Sequence, residues 1–276
     1  MTAAGTPDGR AASVELPISA VIITLNAAQR IEAVLRSVQG CAERLVLDSG
    51  STDGTVELAR AAGARVEVQP FLGYGPQKQR AVDLARHDWI LSLDADEVVD
   101  EEAWNACSRL QLSDPALCWS FRRRTFVGSR EIRHGSWGND RVVRLFNRTT
   151  SRFKPLPVHE EVEPCRAPQL LPGSIIHHGF TDCIDVLARS LRYAPLKAGI
   201  MRTKGERSAA LLLPLRGLAA FFKSYVLRAG WRDGAAGFVI AVSRIIDATL
   251  PRAMLLLDED GPARDGPRSS APTHTS

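Results

Sequence analysis

Read from the N-terminus, the chain alternates short β-branched runs with stretches whose apolar residues recur every three or four positions. Residues 18–24 (Ile-Ser-Ala-Val-Ile-Ile-Thr) form such a run and predict a first strand. Ile31, Val34, Leu35 and Val38 follow at helical spacing and stop near Gly40. Residues 45–48 predict a second strand. The turn at 49–54, built of Ser, Gly, Thr and Asp, is suited to cap a helix running on through Val56, Leu58 and Ala62. Residues 65–68 predict a third strand, and a Gly/Pro loop at 73–76 leads into a helix carrying Gln77, Lys78, Arg80, Val82, Leu84 and Ala85. Residues 89–93 are a mostly apolar run, read as a buried fourth strand, and the run breaks off into Asp94, Ala95, Asp96 and Glu97.

Strands alternating with helical stretches predict an α/β fold with a mostly parallel sheet flanked by helices. After Leu112 the pattern changes. Residues 118–124, 140–147, 158–163 and 174–177 predict short strands of a mixed region, and from about Asp182 to about Leu257 the pattern is helical. The expected organisation is therefore an α/β domain over 16–180 and a helical extension over 181–257. Polar ends at 1–15 and 258–276 are expected to be disordered. The first fifteen residues lack the apolar segment of a signal peptide.

Composition refines this picture at two points. The five cysteines (Cys41, Cys107, Cys118, Cys165, Cys183) are scattered with no Cys-x-x-Cys pair, which excludes a zinc or disulfide scaffold and predicts a reducing, cytoplasmic setting. The net charge of +4 is unevenly spread, because residues 186–257 carry twelve Lys and Arg against three acids. No run of about 18 uncharged apolar residues occurs, so no membrane-spanning helix is expected. Basic helices beside the apolar groups at 211–213 and 217–222 instead predict peripheral attachment to an anionic membrane surface. The rival reading is a helical subdomain with a solvated basic face. Nucleic acid is not an expected partner, since no recognition module accompanies the charge.

The chemistry concentrates at predicted strand ends, where open α/β sheets bind ligands. The first strand ends in Thr24, Leu25 and Asn26, the second in Asp48, and the fourth in Asp94 and Asp96. Two carboxylates one residue apart repel each other unless a cation lies between them, and a divalent metal carrying a diphosphate is such a cation. Each residue also has a plainer role open to it. Thr24 and Asn26 could cap the following helix, Asp48 could brace its own turn, Asp53 is read as a brace, and Lys78 and Arg80 could be a solvated helix face.

Taken together, Thr24-Leu25-Asn26, the stretch Leu47 to Thr55 (LDSGSTDGT) and Leu93-Asp94-Ala95-Asp96-Glu97 resemble the three signatures of family 2 inverting glycosyltransferases of the GT-A fold. The resemblance covers about residues 16–112 and is extended by Trp137-Gly138, by the Arg141–Asn147 string and by Val158-His159-Glu160-Glu161-Val162. His177-His178-Gly179-Phe180 and the helical end are similar to the branch that glucosylates the lipopolysaccharide inner core, the heptose β-1,4-glucosyltransferase type. The resemblance implies a hexose, glucose from UDP-glucose, passed with inversion to a lipopolysaccharide-core or related glycolipid acceptor at the cytoplasmic face of the inner membrane. It implies that Thr24 and Asp48 contact the uracil, that Asn26 belongs to the same nucleotide-sugar site, and that Lys78 and Arg80 make polar contacts to the nucleotide. Asp94 would hold the ribose or lie near the metal, and Asp96 would ligate Mg²⁺ or Mn²⁺. The family often carries Asn-Glu after the first strand; here Ala27 follows Asn26, so that acid is absent.

Inverting transfer needs a carboxylate to accept the acceptor hydroxyl's proton. Glu160 is the expected base, following the His-Glu match, with Glu161 in reserve. In a strand the two point to opposite faces, so only one can serve. His178, or its neighbour His177, is a candidate further metal ligand, and Trp137 a candidate platform for an acceptor sugar; core and turn roles are open to both. Arg141 and Arg144 could pair with phosphate or line an exposed face. Three other readings stand beside this one. Asp94-Ala95-Asp96-Glu97-Val98 also fits the nucleophile motif of haloacid-dehalogenase-like phosphatases, but three strands precede it and no later acidic pair follows. A non-catalytic membrane scaffold on the same fold is the non-enzymatic alternative. A dehydrogenase fits less well still than the phosphatase, since no Gly-x-Gly-x-x-Gly follows the first strand.

Overall fold

The computed structural model describes residues 15–154 and 161–259, which divide into two compact units. The first holds the chain up to Arg133 and again from Trp137 to Asp182; the second holds His134–Ser136 and the chain from Cys183 onward.

The first unit opens with β1 (Leu16–Thr24), α1 (Ile31–Ser37), β2 (Cys41–Asp48), α2 (Thr55–Ala61), β3 (Arg65–Val68), α3 (Tyr74–Leu84) and β4 (Trp89–Asp94). There follow β5 (Glu97–Val99), α4 (Glu101–Ser108), β6 (Cys118–Val127), β7 (Arg130–Ile132), β8 (Asp140–Asn147), β9 (Arg152–Phe153), β10 (Val162–Glu163) and β11 (Gln169–Phe180). Among the described residues, nine strands make one sheet in the order β3-β2-β1-β4-β8-β6-β11-β5, with β7 hairpinned onto β6; β9 and β10 form a separate antiparallel pair.

The four strands β3, β2, β1 and β4 are parallel, as the alternation with helices predicts. Beyond β4 the sheet turns mixed: β8 runs antiparallel to β4 and to β6, and β5 antiparallel to β11. Parallel order places the C-terminal ends of β1, β2 and β4 at one edge. Thr24 pairs with Asp48 across β1 and β2, and Ile23 pairs with Asp94 across β1 and β4. Both sheet faces are packed. Ile18, Ala20 and Ile22 of β1 join Ile31, Val34 and Leu35 of α1 in one core, whereas Val21 with Leu45 and Leu47 joins Ala81 and Val82 of α3 in the other. The alternation along β1 sends successive side chains to opposite cores, which is why its sequence is mostly apolar.

The expected strand over 158–163 is reduced to Val162–Glu163 among the described residues. β5, α4, β7 and β9 had no counterpart in the expectations. β5 directly follows the Asp94–Asp96 turn, and α4 is capped by Asp100, whose carboxylate accepts the Ala103 N–H at 2.8 Å.

The second unit contains α5 (Cys183–Thr203), a 3₁₀ turn at Ala210–Leu212, α6 (Leu213–Phe222) continued by a π turn at Lys223–Leu227, a 3₁₀ turn at Gly230–Asp233, and α7 (Gly234–Glu259). α5 and α6 both pack on α7. Lys197 of α5 and Arg244 of α7 each hold Asp247 at 2.7 Å, and Asp233 accepts from the His134 backbone N–H at 2.7 Å. The chain approaches itself closely at Gly237, where a Cβ would lie 1.9 Å from the Gly230 carbonyl oxygen.

Candidate active site

The tips of β1 and β2 are stitched into one surface. Asn26 adopts a left-handed φ of 51°, a conformation Asn tolerates better than most residues. From there its side-chain Oδ1 accepts the Thr52 N–H at 2.9 Å while its own N–H donates to Ser51 Oγ at 2.8 Å. The next two amides follow suit: Ala27 donates to Thr55 Oγ1 at 2.8 Å and Ala28 to Asp53 Oδ2 at 3.0 Å. Asp53 is thus a brace, and although desolvation works against it, bonds from the Thr55 hydroxyl and the Ala28 amide hold its carboxyl below the usual range.

Asp48 is almost fully buried. Its Oδ2 accepts the Gly50 and Ser51 amides at 2.8 Å each, and its Oδ1 accepts the Ser51 hydroxyl. The turn-bracing role is therefore filled, and each carboxylate oxygen has about two lone pairs, so Oδ1 retains accepting capacity. Beside it, Thr24 is 4% exposed and its hydroxyl has no hydrogen-bond partner among the described residues. A buried hydroxyl without a partner is costly in a folded protein, and at a ligand-binding strand end it fits a group that a ligand completes.

At the tip of β4 the two aspartates have different surroundings. Asp94 is clamped by cations: Lys78 Nζ lies 2.7 Å from Oδ1 and Arg144 Nη2 2.9 Å from Oδ2. Burial works against the charge, but Lys78 first and Arg144 next overcome it and hold the carboxyl well below the usual range. Behind it, Glu97 is fully buried, takes Arg144 at 2.6 Å and Arg123 at 3.4 Å, and accepts the Asp94 amide at 3.1 Å. Arg123 also reaches Asp140 at 2.5 Å. Neither the Glu97–Arg144 nor the Arg123–Asp140 contact was foreseen. Glu97 and Arg144 lie 47 residues apart and meet only through the antiparallel neighbour β8, which no local pattern reveals.

Asp96 instead faces imidazole. His177 Nε2 lies 3.5 Å from its Oδ2, and its backbone carbonyl accepts the His178 amide at 3.0 Å. Gly179 makes room for this arrangement, since a Cβ there would fall 2.3 Å from His177 Nε2. Asp96 and His178 line one cavity of about 320 Å³ with Arg30, Gln29, Val34 and Phe180. Partial burial, then Arg30 and His177, keep the His178 imidazole below its ordinary pKa, against the pull of Asp96. Arg30, which sequence patterns did not single out, makes no ion pair among the described residues and presents a guanidinium to this cavity.

Several expected assignments meet the structure differently. Lys78 is 1% exposed and committed to Asp94. Arg80 does not share its face: it is exposed, and two residues along a helix is a turn of roughly 200°. Trp137 stacks on Phe180 with centroids 4.7 Å apart and 18° between planes, so one ring face is already covered. Arg141 is exposed, while Arg144 is buried under Asp94. Glu160 lies outside the described residues. Glu161 is exposed and paired with Lys154 at 3.1 Å. Among the described residues no three His, Cys, Asp or Glu side chains gather into a complete metal site. Mg²⁺ in nucleotide sites takes one or two carboxylates and leaves the other positions to phosphate and water, so the Asp96 carboxylate fits that donor chemistry.

Comparison with known proteins finds relatives along most of the chain. A lipopolysaccharide core biosynthesis glycosyltransferase (LpsC) of Rhizobium meliloti is 29% identical over 249 residues, covering 87% of this chain and 92% of the relative. An uncharacterized glycosyltransferase of Rickettsia felis is 28% identical over 264 residues, covering 90% and 93%. Among solved structures, glucosyl-3-phosphoglycerate synthase from Mycobacterium tuberculosis, crystallised with Mn²⁺, UDP and glucosyl-3-phosphoglycerate, is 27% identical with a TM-score of 0.33; the match spans 40% of this chain and 44% of that one. The family model for glycosyl transferase family 2 matches residues 19–168, more than half of the chain, which sets aside the phosphatase alternative. With its strand tips, its aspartate pair and that match all falling within one domain, the chain belongs to glycosyl transferase family 2.

Proposed function

We propose that the chain transfers a hexose, glucose from UDP-glucose, with inversion onto a lipopolysaccharide-core or related glycolipid acceptor, at the cytoplasmic face of the inner membrane. The observation that carries this reading is the division of labour at β4. Asp94 is neutralised by Lys78 and Arg144, while Asp96 stands beside His177 on the wall of a cavity that it shares with Gln29 and Arg30, which follow β1, and with His178. The acceptor class is supported by the R. meliloti relative, whose name assigns it to lipopolysaccharide core biosynthesis and most of whose length aligns.

In this reading the partnerless Thr24 hydroxyl and the remaining capacity of Asp48 Oδ1 receive the uracil. Asn26 acts by holding the two tips together. Asp94, fixed by its cations, orients the ribose side of the donor. Asp96, with His177 or His178, holds Mg²⁺ or Mn²⁺, which supplies positive charge for the departing diphosphate. Glu160 accepts the proton of the acceptor hydroxyl as that oxygen attacks the anomeric carbon.

Titration calorimetry with UDP in the presence and absence of Mn²⁺ tests the donor half: tight binding only with the metal is expected, and it should vanish in Asp96→Asn. Equal affinity with and without metal would remove Asp96 from its role. Glu160→Gln should keep UDP affinity while lowering transfer by roughly 10²–10⁴-fold, the range of general-base catalysis. Unchanged turnover in that variant would assign the base elsewhere.

A further inference from the structure

We infer that α6 and the turn after it are an in-plane membrane wedge, which inserts one stripe of side chains into the acyl boundary of an anionic leaflet. The inference deepens the glycolipid reading above and rests on it for its biological sense, but the observations are separate. Residues Ala210–Leu227 form a helical segment long and apolar enough to cross a membrane, yet little of it is buried. Leu215, Leu218 and Phe222, at i, i+3 and i+7, are all more than half exposed, with Leu211 before them and Leu227 and Trp231 after them. Large apolar side chains standing in one row in water are the mark of a surface that something covers.

Three sectors divide the helix. One is occupied within the second unit: Gly217 lies flush against α7, where an added Cβ would meet Ile245 and Thr249 at 3.0 Å, and Phe221 and Tyr225 set their rings edge-on to Phe238. The second is the exposed stripe. The third carries Arg216 and Lys223, seven residues apart and therefore on one face, both exposed.

Charge chooses the occupant. From Arg207 to Arg232 the chain has Arg207, Arg216, Lys223, Arg228 and Arg232 and no acidic residue. A second copy of this chain laid on the stripe would bring the same unbalanced cations and repel it. An anionic lipid surface supplies both missing partners, acyl chains for the stripe and phosphates for the rim. Lying in the plane also fits the packing. A helix that crossed the bilayer would have to leave α7, uncover Gly217 and Phe221, and take Arg216 and Lys223 into hydrocarbon.

Vesicle flotation of the full-length protein, without substrates, tests this. Vesicles of phosphatidylcholine alone are compared with equal-part mixtures of phosphatidylcholine and phosphatidylglycerol. Binding to the mixed vesicles is expected to be stronger by roughly tenfold or more, with a fraction surviving high salt because acyl burial is not screened. Leu215→Ser/Leu218→Ser/Phe222→Ser should weaken it by roughly tenfold or more at every salt concentration, since it removes the inserted apolar area. These side chains are exposed, so the variant's melting temperature should stay at the parent value. Arg216→Gln/Lys223→Gln should weaken binding at low salt only. Equal binding to both vesicle types, no binding to either, wild-type binding by the triple variant, or a concentration-dependent dimer that the triple variant abolishes would each overturn the inference. Retention through an alkaline carbonate wash would overturn the in-plane placement in favour of a spanning helix. UDP affinity measured without vesicles reports on the donor site alone, so the two readings can fail separately.

Discussion

At the scale of single residues, Asp94 is where the sequence motif and the structure part company most usefully. The motif presents two equivalent acids, but one is locked between Lys78 and Arg144 and the other is not. Lys78 is 1% exposed, so neutralising Asp94 takes from a buried cation its carboxylate at 2.7 Å, while Arg144 keeps Glu97 at 2.6 Å. Asp94→Asn is therefore expected to destabilise the protein by roughly 3–5 kcal/mol, the range for breaking a buried pair. Asp96→Asn leaves the Lys78–Asp94–Arg144 cluster intact, so it should cost less stability while removing metal-dependent UDP binding. Denaturant unfolding of the two variants side by side checks the contrast, and equal losses would refute it. The residue types were legible in the sequence because small Ala95 between two acids at a strand end is a local signal. Their partners were not, because Arg144 and Glu97 come together only through the register of distant strands.

At the scale of elements, the parallel half was readable and the mixed half only in part. β-branched runs and helical spacing located β1 to β4 with α1 to α3 to within a few residues, since each element there is a complete local pattern. β5, at three residues, and β7, a short hairpin arm, carry too little sequence to show a period. The loops at the strand tips are joined through Asn26, which bonds to both Ser51 and Thr52. Asn26→Ala loses the bond to Thr52 and puts a Cβ-bearing residue without local support at a φ of 51°. A loss of about 1–2 kcal/mol is expected, with a parallel drop in UDP affinity as Thr24 and Asp48 lose their fixed spacing. Thermal melts and UDP calorimetry measure the two effects, and a loss of stability with unchanged UDP affinity would show that the tips hold their geometry without the pin.

At the scale of the whole molecule, charge sets the response to acid. Glu131 is brought down to about 2 by hydrogen bonds from Arg124, against some burial, with Arg133 adding to the effect. Glu43 is lowered although burial opposes it, through Ser19, the Arg86 amide and Arg65; Asp94 is lowered by its two cations. A carboxylate whose folded pKa lies below its unfolded value stabilises the fold fully above the unfolded value and loses that contribution as pH falls toward the folded one. The ordinary values are 4.5 for Glu and 3.8 for Asp, so these three groups should leave melting temperature level above about pH 5 and lower it steadily between about pH 4.5 and 2. Melts across that range test the sign; a protein that gains stability on acidification would contradict it. The basic excess in the helical part was legible from composition, but which face would be bare was not. That depends on Gly217 and Phe221 turning toward α7, a packing choice that a list of apolar positions leaves undetermined.

The grip on Asp94 comes from two sides of the sheet: Lys78 belongs to a helix over the parallel strands, Arg144 to a strand beyond them. One carboxylate therefore works as a keystone. Sliding the helix past the strand would strip Lys78 or Arg144 of a counter-charge where both cations are buried. Adaptation to new acceptors has to be accommodated in the segments around the keystone.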